Sequence, residues 1–96
     1  MTLDVIQEKN LTDIINYSLE YPSMVLAVTK SNAEQPRSVD FVYGIYIGYI
    51  SGVFFDKFLS QNNRFLNDDE LADFYSKLAN RNAEIMLKIK AYLRIN

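Results

Sequence analysis

The residues best suited to chemistry in this chain are carboxylates. Asp68, Asp69 and Glu70 run consecutively, and Asp73 follows within a turn. Hard cations such as magnesium and calcium take oxygen ligands, so a metal would look here first. A calcium loop, however, alternates its ligands around a central glycine and closes on a glutamate. This run has no such pattern. It is what the positive end of a helix dipole attracts, and that alone accounts for its position. The chain has no histidine and no cysteine. The commonest general base near neutral pH, thiolate nucleophiles and the usual transition-metal ligands are therefore all missing. No Gly-rich phosphate loop, Gly-x-Ser-x-Gly or His-Glu-x-x-His pattern is present. The expectation is a non-enzymatic protein without a cofactor or metal.

Binding chemistry has more to work with. Seven tyrosines stand in the chain, three of them (Tyr43, Tyr46 and Tyr49) spaced three apart. Tyrosine combines a large apolar ring with a hydroxyl that needs a partner when buried, and it is enriched at interfaces. Gly44, Gly48 and Gly52 recur every fourth residue through the same stretch, so on a helix they share one face. Each costs about 0.8–1.0 kcal/mol relative to alanine in a helix interior. Close approach of another backbone, within this chain or from a second copy, would offset that cost. Asn82 lies near the apolar stripe of the last segment and could fix the register of paired helices. The expected interface residues are thus Gly44, Gly48, Gly52, Tyr43, Tyr46, Tyr49 and Asn82. Arg37, Arg64 and Arg81 could meet phosphates, although nothing in the sequence brings them together.

Four segments must position these residues. The first, from about Thr2 to Glu20, carries Leu3, Ile6, Leu11, Ile14, Ile15 and Leu19 at helical spacing. Thr2 is its expected N-cap, and Asn10, a second capping residue, could divide it into two short helices. Tyr21-Pro22 ends it. The second, Pro22 to Ala33, is read as a helix, although Met24 to Thr29 also suits a strand. The third runs from Ser38, as N-cap, to Leu59. It is uncharged from Phe41 to Phe55 and is read as a helix from its glycine period. The fourth, Asp68 to Ile95, opens on Asn67 with Glu70 three residues on, a capping-box pattern. Leu71, Phe74, Tyr75, Leu78, Ile85, Met86, Ile89, Tyr92 and Leu93 give it one long apolar stripe.

The fold expected is one all-α domain over residues 1–96, a small bundle of about four helices. The alternative is an α+β fold with a hairpin of residues 24–30 and 39–50. At 96 residues the core is modest, and oligomerisation is a common remedy. The net charge of −2 disfavours general nucleic-acid binding. A membrane span is disfavoured because Asp40 and Asp56 bound the apolar run at 15 residues, short of the ~20 a span needs. Met1-Thr2-Leu3-Asp4 shows no basic stretch ahead of an apolar one, and with no cysteine the expected location is the cytoplasm.

In type, the chain resembles small helical immunity, adaptor and phage-encoded inhibitor proteins. Its use of asparagine, isoleucine, lysine and tyrosine is that of AT-rich bacterial or phage genomes. The function expected is that of a small helical binding protein acting by occupying a partner protein's surface, itself a homo-oligomer, most simply a dimer. The alternative is an oligomer that sequesters a nucleotide-like small molecule between tyrosines and arginines.

Overall fold

Asp4, rather than Thr2, opens the first helix. Its carboxylate accepts the Gln7 amide at 2.7 Å, and the Gln7 side chain accepts the Asp4 amide at 2.9 Å, a reciprocal capping box. In the computed structural model, which describes residues 2–27 and 38–94, helix α1 then spans Val5–Glu20. The division expected at Asn10 does not occur. The Asn10 side chain reaches across to Gln61 at 3.1 Å instead of capping its own backbone. Pro22 starts a single turn, α2 (Pro22–Val25), followed by the buried Leu26. Residues 28–33 of the second expected helix lie outside the described residues, as does Arg37.

Helix α3 spans Val39–Asn62. Ser38 caps it as expected, its hydroxyl accepting the Phe41 amide at 3.1 Å. The helix continues past Leu59 through the polar cluster. Asn63, at φ 54°, closes it in the left-handed conformation that asparagine tolerates, and the Asn62 side chain holds the Phe58 carbonyl at 2.8 Å. The helical state of residues 39–50 removes the hairpin alternative; no strand occurs among the described residues.

The last segment is two helices instead of one. Helix α4 (Asp68–Asn80) and helix α5 (Asn82–Leu93) meet at Arg81, whose φ of −103° and ψ of 6° leave the helical region. Asn80 and Asn82, weak helix formers, flank the joint. Asn67 and Glu70 form the expected capping box at the start of α4, with bonds of 2.8 and 2.9 Å.

The core is organised around α3. Val42, Tyr46, Ile50, Phe54 and Phe58, one every fourth residue, are all buried. Leu11, Ile14 and Ile15 of α1 cover them, along with Phe74 and Leu78 of α4, and Ile85 and Ile89 of α5. Removing each such side chain from water contributes about 1.5–3 kcal/mol. Helices α1 and α3 run antiparallel: Gln7 meets Asn62 and Asn10 meets Gln61 at one end, while Ser18 meets Tyr46 farther along. Helix α4 reaches α3 through aromatic rings, with Phe74 stacked on Phe54 at 5.0 Å between centroids.

Candidate functional site

The buried stripe of α3 and its glycine stripe both recur every four residues, and they are offset by two. Two residues turn a helix by about 200°, so the glycines lie on the side opposite the core, and the two stripes wind round the helix together. Gly44, Gly48 and Gly52 are exposed accordingly. A Cβ placed on any of the three would have no neighbouring atom within 4 Å. Among the described residues, then, nothing uses the room the glycines leave, and close packing against those residues is not what they serve.

Large apolar side chains continue this outer face. Phe41 and Leu59 are exposed, the latter by about half of its surface (49%). They lie seven residues before and eleven after Gly48, spacings of near-whole helical turns. Phe55, seven residues after Gly48, is half-buried between the rings of Phe65 at 5.2 Å and Phe74 at 5.0 Å. On one flank, Tyr49, Val53 and Lys57 share a shallow hollow with Asn10, Asp13, Ile14 and Tyr17 of α1. Burial, and secondarily Tyr17, disfavours the phenolate of Tyr49 and pushes its pKa above the ordinary value. On the other flank, the Tyr43 hydroxyl donates to the Asn82 side-chain oxygen at 2.5 Å.

The seven residues expected at an interface therefore divide. The three glycines occupy the outer face, with Tyr49 and Tyr43 at its edges. Tyr46 does not belong to it: it is wholly enclosed, and its hydroxyl donates to the Ser18 carbonyl. That carbonyl needs such a donor. The residue four positions on is Pro22, which has no amide hydrogen. Burial is also the main reason that the Tyr46 phenol ionises above its ordinary range. Asn82 is half-buried at the α4–α5 joint and is committed to Tyr43 of its own chain. Phe41, Val53 and Leu59 went unnoticed in the sequence, although counting whole turns from Gly48 would have found Phe41 and Leu59.

The acidic residues are engaged within the chain. Glu70 is buried and takes both guanidinium nitrogens of Arg64, at 2.7 and 3.0 Å. The Arg64 contact holds its carboxyl below the usual carboxylate range. Asp73 accepts Lys77 at 2.7 Å and the Leu3 amide at 3.0 Å, and Lys77 holds its carboxyl down likewise. Among the described residues no three carboxylates converge as a metal site would need. Arg81 bonds Glu84 and Asn16, so Arg64 and Arg81 both serve the chain's own groups.

No protein-family model, curated protein or solved structure matches this chain. The functional reading rests on the geometry of α3. By length and composition this helix is also able to cross a membrane, and only 22% of its most apolar window is buried.

Proposed function

We propose that this chain is a non-enzymatic binding protein whose working surface is the outer face of α3, set against a helix of a partner protein. The observation that carries the reading is the space over Gly44, Gly48 and Gly52 that no described residue fills. Three glycines inside a helix cost roughly 2–3 kcal/mol against alanine. A partner backbone in the open space would recover that cost through close packing, with Phe41, Val53 and Leu59 supplying apolar area around it. Affinity capture with the wild-type chain and with Gly48→Leu tests this. The wild type retains a stoichiometric protein partner, and the folded variant loses it. Equal retention by both would overturn the reading.

The length of α3 favours a second reading, a helix held at or in a membrane. Against it, Asp40 and Lys57 lie within the helix, and its inner stripe is sealed by α1, α4 and α5. Fractionation separates the two: the binding protein stays in the supernatant, and the membrane helix sediments with lipid.

A further inference from the structure

We draw no further inference here: the strongest candidate, the cleft between α1 and α4 lined by Leu11, Ile15, Lys77 and Arg81, carries nothing because both of its cations are already paired with Glu8, Asp73 and Glu84 of the same chain.

Discussion

Replacing Tyr46 by phenylalanine removes one hydroxyl and leaves the ring in place. The ring is fully enclosed among the residues of the core, and the hydroxyl serves the carbonyl of Ser18. Ser18 is also wholly buried, so water cannot take over the lost bond. Nor can the backbone, because the amide four residues on belongs to Pro22. The variant therefore loses the net value of the hydrogen bond and strands a buried acceptor, a combined cost of about 1–3 kcal/mol. For a domain of this length that is a fall in Tm of roughly 5–20 °C. Urea denaturation followed by circular dichroism measures it. The midpoint should drop with an unchanged slope, since the surface exposed on unfolding stays the same. Tyr75→Phe, at a half-exposed ring, is the control and should remain within about 0.5 kcal/mol of wild type. If Tyr46→Phe is equally silent, the carbonyl has another donor and the account of how α1, α2 and α3 are joined is wrong.

Further outcomes follow from the same contacts. Glu70 and Asp73 both have carboxyls held below their ordinary range, by Arg64 and Lys77 respectively. A carboxyl depressed in the folded state contributes stability that is complete above its unfolded value and is lost as pH falls through the folded one. Stability measured by urea titration should thus decline below about pH 5, and Glu70→Gln should be less stable than wild type at pH 7 with a shallower acid decline. An identical acid profile for wild type and Glu70→Gln would refute this role for the pair. Asn82→Ala strands the Tyr43 hydroxyl at the α4–α5 joint and should cost about 1–2 kcal/mol by thermal melting; no change would show that the bond contributes nothing.

The fold class and the caps of α3 and α4 were legible because they are local. Ser38, Asn67 and Glu70 act within three residues of themselves, and the chain around them agrees. The α4–α5 joint was not legible. No proline or glycine marks it, and the groups that hold Arg81 and Asn82, namely Asn16 and Tyr43, come from distant parts of the chain. The start of α1 was misplaced for a related reason. Thr2 and Asp4 are both good caps, and the choice is made by Gln7 three residues after Asp4 and by Asp73 holding the Leu3 amide. On α3, the glycine period showed which residues share a face, but not whether that face looks in or out. Both sides of the helix are apolar, so pattern alone gives no direction. The tyrosines were harder still. Tyr43, Tyr46 and Tyr49 look alike in sequence, yet three-residue steps carry them round the helix, from one flank through the core to the other.

Gly48→Ala tests the central claim most directly, because it pushes two measurements in opposite directions. In the isolated chain the added methyl meets no atom of the described residues within 4 Å and improves helix propensity, so it should stabilise the chain by about 0.8–1.0 kcal/mol. Against a partner backbone docked over the glycines, the same methyl overpacks at a cost of roughly 1–3 kcal/mol. Thermal stability of the isolated chain and retention of a captured partner protein are therefore measured together. The expected result is a variant that melts higher than wild type yet holds the partner at least several-fold more weakly. A variant that melts higher and retains the partner as well as wild type would mean that nothing docks at Gly48, and would contradict the reading.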